Sequence, residues 1–183
     1  MTLRRRTVNA LLIGAGVLAG LVVALWVGGS LLPRDHLSQT ALELRADRER
    51  VWALISDVGG TGRWRPEVRK IEMQPAVAGR VRFVETTGQG DTPFEVVSQE
   101  PPARQVIRVV DDGLPFGGTW TWELTPTGAG TRVTISEAGF IRNPVFRVAS
   151  RVFFPPTKMM QGYLRALARE LGESAEPVLV RER

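Results

Sequence analysis

Two glutamates are the residues best placed to do chemistry. If residues 80–87 and 131–140 are strands, alternation sets Glu85 in phase with Val81 and Phe83, and Glu137 in phase with Val133 and Ile135. Both carboxylates would then face an apolar interior. Burial there raises a carboxylate's pKa and suits it to act as general base, for instance on an enolisable ketone. Arg108 is the cation expected to pair with one of them. The competing reading, preferred on sequence grounds, leaves both glutamates at strand ends with their carboxylates in solvent.

Other chemistry is thinly represented. The chain has no cysteine, so thiolate nucleophiles, disulfides and zinc–thiolate sites are excluded. His36 is the single histidine and lies just after an apolar stretch, where a juxtamembrane surface position is expected. Gly59-Gly60-Thr61-Gly62 is followed by Arg63-Trp64 rather than Lys-Ser/Thr, so it reads as turn chemistry, not a phosphate loop. No metal site and no cofactor are assigned, and Glu85 and Glu137 are the only catalytic candidates. Apolar positions are richer. Trp64, Phe83, Phe94, Trp120, Trp122, Ile135, Met160, Tyr163 and Leu167 are the expected lining of a hydrophobic cavity, with Met159 as an adaptable neighbour. The tryptophans would serve equally well as plain core. Tyr163, the sole tyrosine, carries a hydroxyl that needs a partner once buried.

These side chains need a frame. Asn143-Pro144 opens a helix with an N-cap acceptor and a preset φ. Val145, Phe146, Ala149, Val152 and Phe153 follow at helical spacing, until Pro155-Pro156 interrupts. A second helix then runs from about Thr157 to Leu171, with Met160, Tyr163, Leu164, Leu167, Ala168 and Leu171 on one face. The break between the two is the place to look for a gate. Upstream, Asp47 is a plausible N-cap for a short helix burying Val51, Trp52, Leu54 and Ile55. Strands are expected at 38–44, 68–74, 80–87, 93–99, 104–111, 119–125 and 131–140, separated by Gly-, Pro- and Asp-rich turns. Connections this short imply an antiparallel meander. The loop 111–118 could be a lid tipped by Phe116, or only a turn. Residues 173–183 lack periodicity and read as a flexible tail.

Ala46-Asp47-Arg48-Glu49-Arg50-Val51-Trp52-Ala53-Leu54-Ile55-Ser56-Asp57 resembles the opening signature of the polyketide cyclase/dehydrase group in the START-like (SRPBCC) superfamily. Trp64-Arg65-Pro66-Glu67-Val68 matches a second signature. Thr119-Trp120-Thr121-Trp122-Glu123-Leu124 and Gly130-Thr131-Arg132-Val133-Thr134 match the last two strands. The resemblance spans roughly residues 36–172. It implies an α+β helix-grip fold, a seven-stranded antiparallel sheet wrapped around a long C-terminal helix with a ligand cavity between. It implies no single activity, since members include lipid carriers, receptors and cyclases.

Residues 10–32 carry no charge and, at ~1.5 Å rise, cover roughly 34 Å, enough for one transmembrane helix. The net charge is +5, and most of it precedes residue 37, so no basic stripe marks nucleic-acid binding in the folded part. Arg4-Arg5-Arg6 on the amino side predicts a cytoplasmic tail (1–9), a transmembrane anchor (10–32), a linker (33–37) and an extracytoplasmic ligand-binding domain (38–172) at the cell membrane. Gly16 and Gly20 have the GxxxG spacing by which two spans can pack, a spacing also common by chance. The expected function is binding of a hydrophobic small molecule or lipid held between sheet and C-terminal helix. The alternatives are a cyclase/aromatase-like enzyme using a cavity carboxylate, and an interaction module with no ligand.

Overall fold

Tight two-residue turns and alternating side chains build most of this molecule into one antiparallel sheet. The computed structural model describes residues 2–153 and 155–182. A helix α1 (Thr2–Leu31) is followed by β1 (Asp35–Leu44), α2 (Arg48–Ser56), a 3-10 segment (Val58–Arg63), β2 (Val68–Val77), β3 (Arg80–Thr87), β4 (Gly90–Glu100), β5 (Arg104–Val109), β6 (Phe116–Thr127), β7 (Gly130–Ile141), α3 (Pro144–Phe153), α4 (Pro156–Glu170) and β8 (Val178–Glu182). The strands lie in the order β2-β3-β4-β5-β6-β7-β1-β8. At the β2–β3 turn both Ala78 (φ 50°) and Gly79 (φ 76°) are left-handed, the backbone a two-residue hairpin with right-twisted arms requires.

The expected fold class holds, and the seven expected strands are all present. The C-terminal segment differs from the expected flexible tail. Gly172, at φ 76°, ends α4 in a Schellman arrangement, with Glu173 N–H bonded to Ala168 C=O at 2.8 Å and Gly172 N–H to Arg169 C=O at 3.0 Å. The Glu173 carboxylate then accepts the backbone N–H groups of Arg45 (2.9 Å) and Ala46 (3.0 Å). Thus anchored, the chain runs on into β8, which pairs antiparallel with β1. Val178, Leu179 and Val180 are each about half exposed, so this edge strand has no inward and outward face to leave a period in the sequence.

Local signals explain the helices. Asp47 accepts Arg50 N–H at 2.7 Å and caps α2, which buries Val51 and Ile55. Asp57 accepts Gly60 N–H at 3.1 Å, placing a carboxylate where a phosphate loop would hold its anion. Asn143 caps α3 by accepting Phe146 N–H at 3.1 Å. The break expected at Pro155-Pro156 separates α3 from α4. Helix α4 then buries Met160, Tyr163, Leu164, Ala166, Leu167 and Ala168 against the sheet. Fully buried leucines such as Leu164 and Leu167 each contribute ~1.5–3 kcal/mol.

Helix α1 contains one stretch, Leu12–Leu31, long and apolar enough to cross a membrane, and almost none of it is buried by the rest of the chain. Such a helix is compatible with a membrane span or a signal sequence. Its C-terminal end touches the domain. There α3 approaches so closely that a Cβ on Gly29 would lie 1.9 Å from the Pro144 carbonyl oxygen.

Candidate functional site

The interior between sheet and α4 is lined by the residues that the strand and helix periods single out. Trp64, Phe83, Trp122, Ile135, Met160, Tyr163 and Leu167 are buried in one cluster, and Phe94 and Trp120 pack against it partly exposed. The rings close on one another. Trp64 meets Tyr163 edge-on at 5.2 Å, Trp122 lies 5.5 Å from the same ring, and Phe83 stacks on Phe94 at 5.4 Å. What remains between them is a gap of about 20 Å3, room for a single water. Met159, expected beside this lining, is exposed.

Glu85 does point inward and borders this gap, but its partner is not Arg108. Arg65 grips it with two parallel hydrogen bonds, Nη1 to Oε2 at 2.7 Å and Nη2 to Oε1 at 3.0 Å. The same guanidinium sits 5.0 Å from the Tyr163 ring centroid and bonds Glu67 at 2.8 Å through Nε. Burial opposes the Arg65 charge, yet Glu85, with smaller help from Tyr163 and Glu67, outweighs it and holds the guanidinium above its ordinary pKa. Burial likewise pushes the Tyr163 phenol well up, against the pull of Arg65. The Trp122 indole N–H, close to that hydroxyl, favours the phenolate slightly without forming a well-made hydrogen bond. Both oxygens of the Glu85 carboxylate are thus taken up by one guanidinium.

Arg108 lies on the opposite face of the sheet because its strand has the other phase, with Gln105 and Ile107 turned in. It bonds Glu95 at 2.9 Å, as do Arg82 (2.8 Å) and Arg80 (3.1 Å). Cross-strand register sets Arg82 and Arg108 on either side of Glu95. The carboxylate is shielded by these guanidinium groups rather than by the body of the protein. Hydrogen bonding from Arg82 is the largest influence holding it below the usual carboxylate range.

A roomier cavity lies elsewhere, at the end of the sheet nearest α1. A half-open cleft of about 400 Å3 is bounded by Pro33 and Arg34 after α1, His36 and Ser38 of β1, Ile141 of β7, Arg147, Ser150 and Arg151 of α3, and the Pro155-Pro156 break. His36 is therefore no surface residue. It is mostly buried, and its Nε2 lies 3.3 Å from Glu137 Oε1, while Glu137 Oε2 is buried with no hydrogen-bond partner. Register explains the meeting: His36 pairs with Gly139 across β1 and β7, and glycine leaves the space the imidazole occupies. Arg147 is the cleft's fastener. It donates to the backbone carbonyls of Ile141 (2.8 Å), Arg142 (3.0 Å), Gly29 (3.3 Å) and Leu32 (3.3 Å), joining β7, α3 and the C-terminus of α1. Phe116, the proposed lid tip, instead begins β6 and stacks on Phe146 of α3 at 6.1 Å. Sequence reasoning passed over Arg65, although it stands inside a quoted signature, and over Arg147, which is one arginine of several on an amphipathic helix.

Solved structures with the same fold bear this architecture out at low sequence identity. The di-domain ARO/CYC StfQ from the steffimycin biosynthetic pathway matches with a TM-score of 0.62 at 17% identity over 75% of this chain, which spans only 52% of the StfQ chain. A START superfamily protein from Mycobacterium smegmatis matches with a TM-score of 0.61 at 15% identity, covering 75% of this chain and 97% of that one. A conserved protein from Geobacillus kaustophilus matches with a TM-score of 0.60 at 16% identity, covering 77% and 98%. Comparison with curated protein sequences gives no match. The family model described as polyketide cyclase/dehydrase and lipid transport fits residues 36–176, and the chain belongs to that family.

Proposed function

We propose that the chain is a membrane-anchored binding protein for a hydrophobic small molecule or lipid. Residues 10–32 are its anchor, the short arginine-bearing tail is cytoplasmic, and the folded domain stands outside the membrane. The observation that supports this most directly is the cleft of about 400 Å3 beside the end of the apolar helix, within the usual range for small-molecule sites. The ring-filled gap under α4, by contrast, admits an apolar ligand only if Trp64, Trp122 and Tyr163 move apart. That near-filled interior is also what an interaction module would have, but such a module has no need of the cleft.

The test is extraction and mass spectrometry of full-length protein purified in a neutral detergent. A stoichiometric apolar ligand is expected. Recovery of none, together with no change in melting temperature across a panel of lipids, rejects the proposal.

A second reading has one observation behind it. The His36–Glu137 pair, with a carboxylate oxygen left unpartnered beside the cleft, is a group able to carry a proton and so fits a cyclase-type enzyme. Glu85, held by Arg65, is not used in that reading. If His36→Gln and Glu137→Gln each retain all detectable turnover of an enolisable polyketide-like ketone, the enzyme reading falls.

A further inference from the structure

The walls of the cleft have an uneven charge. Three of its lining residues are arginines, Arg34, Arg147 and Arg151, and among the described residues no carboxylate lies within salt-bridge distance of any of them. The four acceptors of Arg147 are carbonyl oxygens, which satisfy its donors and leave its full charge in place. Arg34 rests over the Phe140 ring at 5.3 Å, an arrangement that orients a guanidinium without neutralising it. Glu137 is turned to His36 and is not part of the wall. The rest of the lining is the His36 imidazole, the hydroxyls of Ser38 and Ser150, and the apolar surface of Pro33, Ile141, Pro155 and Pro156.

Position adds to charge. Arg34 follows the apolar stretch of α1 by three residues, and α3 is packed against the last turn of the same helix. With α1 across a bilayer, the cleft therefore sits at headgroup depth. Val152 (64% exposed) and Phe153 (69% exposed) stand out from α3 next to Arg151, on the helix that forms one wall. An amphiphile seated here would meet guanidinium groups with its head and the apolar side of α3 and α1 with its chains.

We infer that the cleft binds the anionic head of a bilayer phospholipid, with Arg34 and Arg151 as the recognising groups and Arg147 as their positioned, backbone-anchored neighbour. This deepens the proposed function, on which it rests, by naming the class of ligand. Guanidinium groups form paired, charge-assisted hydrogen bonds to phosphate oxygens, and the cleft supplies no acceptor-rich wall suited to a cationic head.

The experiment uses full-length protein in neutral detergent, titrated with short-chain phosphatidylglycerol, with phosphatidylcholine of the same chain length, and with inorganic phosphate. Phosphatidylglycerol is expected to bind at least ~10-fold more tightly than phosphatidylcholine, a gap of ~1.4 kcal/mol. The double variant Arg34→Gln/Arg151→Gln should lose that preference. Arg169→Gln/Arg181→Gln, which removes the same charge from α4 and β8, should keep it. Equal affinity for the two lipids overturns the headgroup assignment and leaves apolar-ligand binding standing. Inorganic phosphate binding as tightly as phosphatidylglycerol makes the cleft a free-anion site and overturns the lipid assignment. No binding of either lipid, with no apolar ligand co-purified, removes the proposed function itself. The comparison of lipids on the unaltered chain decides the matter even if the double variant fails to fold.

Discussion

Two partly buried arginines divide this molecule into unlike halves. Arg65 stands at the ring-filled gap beneath α4 with two carboxylates around it, while Arg147 stands at the cleft beside α1 with four carbonyls and none. The first is an ion pair closed upon itself, in a space of about 20 Å3. The second leaves a positive charge at the edge of about 400 Å3. A site that has neutralised its own charges has little left to offer a ligand. Binding is therefore expected at the α1 end, and stability at the gripped end.

The largest effect should come from breaking the closed pair. Arg65→Met leaves Glu85 buried without its partner and is expected to cost ~3–5 kcal/mol in chemical denaturation. Arg65→Met/Glu85→Leu should recover most of that loss, because two apolar residues leave no charge stranded. If the double variant is as unstable as the single, the pair is not the self-contained unit described. Arg147→Met should cost less, ~1–3 kcal/mol, since it strands carbonyl acceptors, some of which water can reach. Its effect should fall on the junction of α1 with α3, seen as faster proteolysis there. Equal losses at Arg65 and Arg147 would erase the distinction between the two halves.

Glu95 offers a third case, an anion surrounded by arginines on the outer face of the sheet. Its folded pKa is depressed, so its contribution is present above the unfolded carboxylate value and lost as pH falls through the folded one. Melting temperature should drop more steeply below about pH 4 in the native protein than in Glu95→Gln. Identical acid limbs would show that the cluster is not coupled to folding.

Much of this was legible in the chain. The two helices around Pro155-Pro156, the caps at Asp47 and Asn143, and the inward set from Phe83 to Leu167 follow from local rules: fixed proline φ, short side-chain acceptors, and periods of 2 and 3.6. What local rules cannot supply is which distant residues meet. Arg65 reaches Glu85 across twenty positions, and His36 reaches Glu137 across a hundred and one, through the register of β1 with β7. Strand alternation turned Glu85 inward, but only three-dimensional placement shows that Arg65 arrives first and Arg108 faces away. The eighth strand was hidden for a different reason: an edge strand exposed on both faces has no pattern to read. The cleft has no signature at all, being assembled from the ends of five separate segments.

The smallest expected effect gives the sharpest view of how closed the gripped end is. Tyr163 is the only tyrosine in the chain, so phenolate absorbance reports on this one ring. Burial raises its folded pKa above the ordinary ~10. The folded state therefore keeps a proton that the unfolded chain releases, and the associated stability is full below pH ~10 and declines as pH rises beyond it. Tyr163→Phe should change neutral-pH stability by no more than about 1 kcal/mol, while flattening part of the alkaline decline. In the native protein the phenolate should appear only together with loss of the near-ultraviolet circular dichroism of the tryptophans packed on it. A phenolate titrating near pH ~10 with that signal intact would mean that water reaches the ring. The gap under α4 would then be an open cavity, and the contrast between the two ends of the molecule would disappear.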